Sequence, residues 1–173
     1  MTVRKILVAP DKRLKIRSNE IELVNDEIRT LLDDMLDTMY SDDGIGLAAI
    51  QIGVPKRAIV IDIHEPEETQ RPLKIINPEI LWLSNERRIC EEGCLSFPNY
   101  FAEIERATEI TISYINETGE TTELDANGTL AVCLQHEIDH LNGRLFVDHL
   151  TLVKRNIIMR KLAKAKRSSK GTP

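Results

Sequence analysis

The chain has 173 residues, 42% of them hydrophobic, and a formal net charge of −5. That length holds one domain with a real core and is too short for two independent ones. No run approaches the roughly eighteen consecutive apolar residues of a membrane span, and the N-terminus "MTVRKILVAPDKRLKIRS" lacks an apolar segment followed by a small-residue cleavage site, which speaks against secretion and for a cytoplasmic location.

In chain order, "KILVA" reads as a strand. Arg4, Lys5, Lys12, Arg13, Lys15 and Arg17 raise the question of an organellar transit peptide, but Pro10 and Asp11 interrupt any amphipathic helix there. From Asn25 onward, "NDEIRTLLDDMLDTMYSDDG" places Ile28, Leu31, Leu32, Met35, Leu36 and Met39 at helical spacing, with Asn25 as cap and Gly44 as stop. Its apolar stripe is read as core and its acidic face as solvated. The period then changes. "RAIVIDIH", "LKIINPEILWL", "FAEIERATEITISYIN" and "TTELDA" are rich in β-branched residues and broken by Pro, Asn and Gly, as strands are. "NETG" at residues 116–119 predicts a hairpin turn. "GTLAVCLQHEIDHLN" is helical again, ended by Gly143, and "LVKRNIIMRKLAKAKR" makes a basic amphipathic helix before "SSKGTP" frays. There is no internal repeat and no linker. The fold class is α+β, with antiparallel or mixed sheets around a central helix carrying HExxH, an N-terminal amphipathic helix and a C-terminal helix.

The charge is unevenly divided. Residues 151–173 carry eight bases (Lys154, Arg155, Arg160, Lys161, Lys164, Lys166, Arg167 and Lys170) and no acid. Residues 1–150 keep the other 15 of the 23 bases against all 28 acids, about −13 beside a tail of +8. A body at 1–150 and a basic helix and tail at 151–173 within one domain follow. Such a tail is either a solvated helix face or a docking element for an RNA-rich assembly, without sequence-specific nucleic-acid reading.

Cys90, Cys94 and Cys133 are odd in number in a chain with no export signal, so reduced thiols fit better than a disulfide framework. His136 and His140 lie at i and i+4, on one helix face, where both present ring nitrogens to one ion. Glu137 stands beside that ion without ligating it, positioned to take a proton from water. Val132, Leu134, Ile138 and Leu141 imply a buried setting, in which two histidines and two carboxylates are costly unless paired or metallated. A third ligand is needed. Residues 141–173 contain no glutamate, which excludes one protease class; Gly143 suits an HExxHxxGxxH extension, but its last position is Phe146. His64, Asp148, His149 and the cysteines remain. Cys133, one turn before His136, would strain a tetrahedral site and is read as a pocket wall. Cys94, in "EEGCLSFP", is chemically better placed, aimed by a turn at a distant helix; Cys90 reads as strand core.

Three segments together resemble the peptide deformylase family: "GIGLAAIQ" (residues 44–51), "EGCLS" (92–96) and "QHEIDHLNG" (135–143), in the family's order and separation, with similarity along essentially the whole chain. The resemblance implies that Cys94, His136 and His140 hold one divalent ion, ferrous in the cell and replaceable by zinc, nickel or cobalt, with Glu137 as general acid/base. It implies a metal-dependent amide hydrolase that removes the N-formyl group of formylmethionine from nascent polypeptides and releases formate. The Gln51 amide and the Leu95 N–H would donate to the formyl oxygen. Gly46, in the turn that begins at Gly44, would meet the peptide backbone, and Ile45, Cys133 and the aliphatic part of His136 would receive the methionine. The family's C-terminal helix and the tail's charge imply docking near the ribosomal exit tunnel. Two residues depart from the family pattern: Ile50 replaces a proline, and Phe101 stands where many bacterial relatives carry an arginine. Arg106 is expected to pair with Glu92 or Asp139 as support for the site. The rival readings are a metallopeptidase cutting internal bonds, which lacks its downstream ligands here, and a non-catalytic ribosome-associated module, against which Glu137, Gln51 and the three ligands speak.

Overall fold

Asn25 lies in extended backbone, and its side-chain oxygen accepts from Ile28 N at 3.0 Å. This satisfies one of the donors that a helix start leaves free, and helix α1 runs Asp26–Ser41. The computed structural model describes residues 2–63 and 72–168, with side chains of the last helix to residue 165, so His64 lies outside the described residues. All six apolar positions that the periodicity picks out on α1 are buried. The stop differs from the expected one. The left-handed residue is Asp43, at φ 52°, while Gly44 N–H bonds back to Met39 O at 2.9 Å. Gly44 is required by crowding instead, since a Cβ there would stand 2.8 Å from Leu95 Cδ1.

Seven strands follow: β1 Gly46–Ala48, β2 Ala58–Ile61, β3 Leu73–Leu83, β4 Arg87–Gly93, β5 Phe101–Ala107, β6 Glu109–Ile115 and β7 Thr121–Asn127. The chain is α+β, with an antiparallel five-stranded sheet in the order β1-β2-β3-β6-β7 and a separate antiparallel pair, β4-β5. The run "FAEIERATEITISYIN" thus divides between two sheets. It breaks at Thr108, whose N–H bonds Glu86 O at 3.1 Å. At residues 116–119 the chain turns with Gly119 at φ 90° and its N–H on Asn116 O at 3.0 Å, a conformation that favours glycine.

Side chains alternate along a strand, and β2 is buried on both faces for that reason. Ala58 and Val60 join Leu32, Met35 and Met39 of α1, whereas Ile59 and Ile61 join Leu134, Ile138 and Leu141 of helix α2, Gly128–Leu141. The sheet is therefore sandwiched between the two helices. Helix α2 also packs against β5, which leaves it central and its polar residues largely enclosed. A third apolar cluster, around Leu14, Phe97, Ile104 and Phe146, takes Leu162 from helix α3, Leu152–Ser168.

Residues 5–9 form no regular strand. Leu7 N donates to Gln51 O (2.7 Å) and Ala9 N to Ser96 O (2.9 Å), two separate segments, so no continuous ladder builds. Cys90 does lie in β4 but is only half-buried, because a two-stranded sheet has one covered face. Beyond α2, Ser18 N bonds Leu141 O at 2.9 Å, and the backbone of residues 15–17 crosses Gly143, which has φ 71°. A Cβ on Gly143 would sit 2.5 Å from Lys15 O. Gly143→Ala is expected to lower the unfolding free energy by at least about 1 kcal/mol, from the left-handed backbone alone. Urea melts of both proteins measure this, and coincident curves would contradict it.

Candidate metal centre

Helix α2 supplies His136 and His140 one turn apart, with ring centroids 5.0 Å from each other. The turn after β4 brings Cys94 to them from across the domain: its Sγ is 3.3 Å from His140 Nε2. One ligand atom from each of the three residues lies within 4.8 Å of the other two. The donor set of one sulfur and two nitrogens suits a borderline-soft divalent ion, and the residues present fit one. The other sequence candidates for third ligand lie elsewhere. Asp148 pairs with Lys15 and Arg155 and accepts from Leu145 N, while His149 Nε2 is 2.7 Å from Asp139 Oδ2. Cys133 is buried on α2 with Sγ 3.9 Å from Ile45 O, as a wall of the cleft.

A buried charge needs a partner, and here the partners form a chain. His136 Nδ1 meets Glu92 Oε2 at 2.8 Å, which leaves Nε2 for an ion. Arg106 grips both oxygens of Glu92 (Nε to Oε1 2.6 Å, NH2 to Oε2 3.1 Å) and reaches Asp139 with NH1 at 2.7 Å. Arg106 thus makes both of its anticipated pairings at once. Burial works against the Glu92 carboxylate, but His136 and Arg106 outweigh it and hold the group down at about 2. Burial and the charges of His136, Arg106 and Lys15 keep His140 well below its ordinary value, so it is a neutral imidazole, the form that ligates. The direct Glu92 to His136 bond was not anticipated. Nothing in the local spacing of "EEGC" ties Glu92 to a residue 44 positions away. Phe146, the residue that replaces a possible histidine ligand, stacks on His136 with centroids 6.2 Å apart.

Glu137 makes no hydrogen bond to that chain. Its Oε2 is buried without a hydrogen-bond partner. Burial, followed by the opposing effects of His136 and Glu92, pushes its carboxyl up to about 7, in the range where an acid/base catalyst is most useful. Gly46 makes room for it: a Cβ there would be 2.7 Å from Glu137 Oε1 and 2.8 Å from Cys133 Sγ. The glycine expected to face a peptide is thus also demanded by the protein's own packing.

Gln51 is 1% exposed, in the 3-10 turn Ala49–Ile52. Its Oε1 accepts from Ala48 N (2.8 Å), and Nε2 donates to Ser96 Oγ (3.2 Å) and, at a long 3.5 Å, to Cys94 Sγ. The neighbouring Ile50 is equally buried, packed among Ile59, Ile61 and Ile138, so side-chain packing holds the turn at the position where the family pattern has proline. Gly44, Ile45, Gly46, Gln51, Cys94, Leu95, Cys133, His136 and Glu137 line one open cleft of about 840 Å³.

Residues 3–156 match the family model described as polypeptide deformylase. The peptide deformylase of Bartonella quintana (strain Toulouse) is 52% identical over 164 residues, covering 95% of this chain and 93% of that protein. That of Phenylobacterium zucineum (strain HLK1) is likewise 52% identical, covering 95% and 97%. Among solved structures, peptide deformylase from Ehrlichia chaffeensis superposes with a TM-score of 0.92 at 42% identity, over 97% of this chain and 99% of that one. The chain belongs to the polypeptide deformylase family.

The depressed Glu92 carboxyl has a consequence for stability. A folded-state value of about 2 against an ordinary 4.5 means that Glu92 stabilises the fold above pH 4.5 and that this is lost as pH falls through about 2. Glu92→Gln is expected to cost about 3 kcal/mol at neutral pH, since it leaves buried Arg106 short of a partner. The gap between variant and parent should close toward pH 2, as denaturation of the chelator-treated proteins across pH would reveal. A gap independent of pH would show that the ionised carboxylate is not what stabilises.

Proposed function

We propose that this chain hydrolyses the formyl amide at the formylmethionine terminus of nascent polypeptides and releases formate, using an ion held by Cys94, His136 and His140. The observation that carries the reading is their convergence beside the buried, unpartnered Glu137 carboxylate on the wall of a peptide-sized cleft. Iron(II) is the proposed resident ion, with zinc, nickel or cobalt as substitutes, and the cytoplasm is the proposed location. No helix among the described residues is long and apolar enough to cross a membrane.

When bound, the ion supplies Lewis acidity, acidifying water and polarising the formyl carbonyl. Glu137 takes the proton of the attacking water, and its value near 7 lets it hold that proton and return it to the departing amine. Negative charge gathers on the formyl oxygen. Gln51 Nε2 turns from its long contact with Cys94 Sγ to donate there, joined by the Leu95 N–H, which has no hydrogen-bond partner among the described residues. Ile45, Cys133 and the edge of His136 enclose the methionine side chain, and the Gly44 to Gly46 turn admits the peptide backbone. Burial and the nearby Glu137 and Glu92 keep the Cys133 thiol well above its ordinary value, so it stays neutral and serves as an apolar wall.

The body at residues 1–150 and the basic helix from 151 onward act as one domain in this reading, with the helix as a ribosome-docking element. Its exposed Lys154, Arg160 and Lys161 offer charge to RNA, while Leu162 is part of the core. Truncation would therefore disturb the fold, and charge replacement is the cleaner probe.

Incubating formyl-Met-Ala-Ser with anaerobically prepared, iron-loaded protein and reading the mass of the peptide tests the reaction. Loss of the formyl group is expected, with unformylated peptide left intact and Glu137→Ala about 10²- to 10⁴-fold slower at unchanged metal content. An untouched formyl peptide with the ion in place would overturn the reading. For docking, replacing Lys154, Arg160 and Lys161 by Gln should weaken co-sedimentation with ribosomes at low salt and flatten its salt dependence; identical binding by both proteins would refute it.

A further inference from the structure

Tyr40 and Asp62 form a hydrogen-bonded pair that nothing in the chemistry above uses. Tyr40 stands in the last turn of α1, and Asp62, just past the end of β2, is 4% exposed. The Tyr40 hydroxyl donates to Asp62 Oδ2. A buried carboxylate must be met by donors, and a phenol supplies one without adding a second charge. Burial, and then Asp62, hold the phenol well above its ordinary value, so Tyr40 stays protonated and remains the donor. Neither residue lines the cleft.

The segment that they bracket does line it. The chain leaves α1 through a tight turn, with Asp43 N on Tyr40 O at 3.2 Å and Gly44 N on Met39 O at 2.9 Å. Asp42, Asp43, Gly44 and Ile45 then form a lip of the cleft before β1 begins at Gly46. Asp43 sits in left-handed backbone at φ 52°, which only glycine adopts freely, so the turn needs restraint from outside. Ile45 is 49% exposed, and its carbonyl accepts from Asp62 N at 3.0 Å. Asp62 therefore ties the lip at both ends: its carboxylate takes Tyr40, where the turn starts, and its N–H takes Ile45, where the turn ends. A second contact to the Ile45 carbonyl, from Cys133 Sγ, is long at 3.9 Å.

We propose that Tyr40 is a positioning residue: its bond to Asp62 fixes the lip so that Ile45 closes on the methionine side chain of the substrate. The inference rests on the deformylase reading and goes beyond it to a residue outside the cleft. A pair that served the fold alone would lower stability when broken and leave the choice of first residue as it was.

The test uses the full-length, metal-loaded enzyme with formyl-Met-Ala-Ser and formyl-Ala-Ala-Ser, whose first side chain offers Ile45 only a methyl group. Specificity is read as the ratio of kcat/KM between the two peptides for one enzyme preparation, so partial loss of active protein cancels. Tyr40→Phe keeps the ring and removes the donor. It is expected to lower the Met-over-Ala ratio about three- to tenfold, the scale of one hydrogen bond, through a raised KM for the Met peptide with kcat held. Ile45→Ala should lower the ratio by itself. Adding Tyr40→Phe to it should change the ratio no further, because the brace acts through Ile45. An unchanged ratio in Tyr40→Phe would overturn the proposal, and so would an equal fall with and without the Ile45 side chain. If no formyl peptide is cleaved at all, the deformylase reading itself fails, a separate result.

Discussion

Burial of charge on helix α2 is the constraint on which the rest of the structure depends. Gln135, His136, Glu137 and His140 are all nearly inaccessible to solvent, and their own helix offers a hydrogen-bond partner only to Gln135, whose Nε2 donates to Ala131 O at 2.9 Å. The remaining partners come from other elements. Glu92 comes from β4 to His136, Arg106 from β5 to Glu92 and Asp139, and Cys94 from the turn after β4 to His140. Gln135 binds both the N–H (3.1 Å) and the C=O (3.0 Å) of Ala107, next to Arg106. That amide clamp sets the spacing between α2 and β5, and with it the register of the ion-pair chain against the histidines.

The small β4-β5 sheet is best understood in this light. It has two strands and one covered face, and such a sheet is marginal unless it packs on something else. It packs on the 3-10 turn Phe146–His149 through the apolar cluster around Ile104, and on α2 through a contact that is largely polar. The unit that completes the candidate metal centre is thus held in place by the interactions that orient His136, so fold stability and the geometry of Cys94, His136 and His140 are coupled through Glu92 and Arg106. Outer partners of this kind fix the tautomer and aim of a metal-binding histidine.

Glu137 is the exception to the rule of satisfied charge. One of its oxygens is buried without a partner, and its carboxyl is held near neutrality, at about 7. A structural carboxylate would be paired or solvated; this one is kept free by Gly46, whose missing side chain leaves the space it occupies. The local instability is tolerated because helix α2 is clamped along its other faces. The one unpaired carboxylate of the cluster is held in place by the network around it.

The sequence by itself determined the elements with strong periodicity and the chemistry that lies within one element. Helix α1 with its Asn25 cap, the hairpin at residues 116–119 and the pairing of His136 with His140 all depend on neighbours a few residues apart, and such relations are written in spacing. The three family motifs further pointed to Cys94, Gln51 and Leu95 as functional. Only the tertiary structure decided the rest: that the run at residues 101–116 divides between two sheets, that residues 5–9 join no ladder, and that Asp43 rather than Gly44 turns the chain. It also brought Glu92 to His136 across 44 positions and laid Phe101 on Gly93. The physical reason is the same in each case. Local backbone preference is set by adjacent residues, whereas the partner of a buried charge, or the ring that covers a glycine, is chosen by whichever distant segment packing brings within reach.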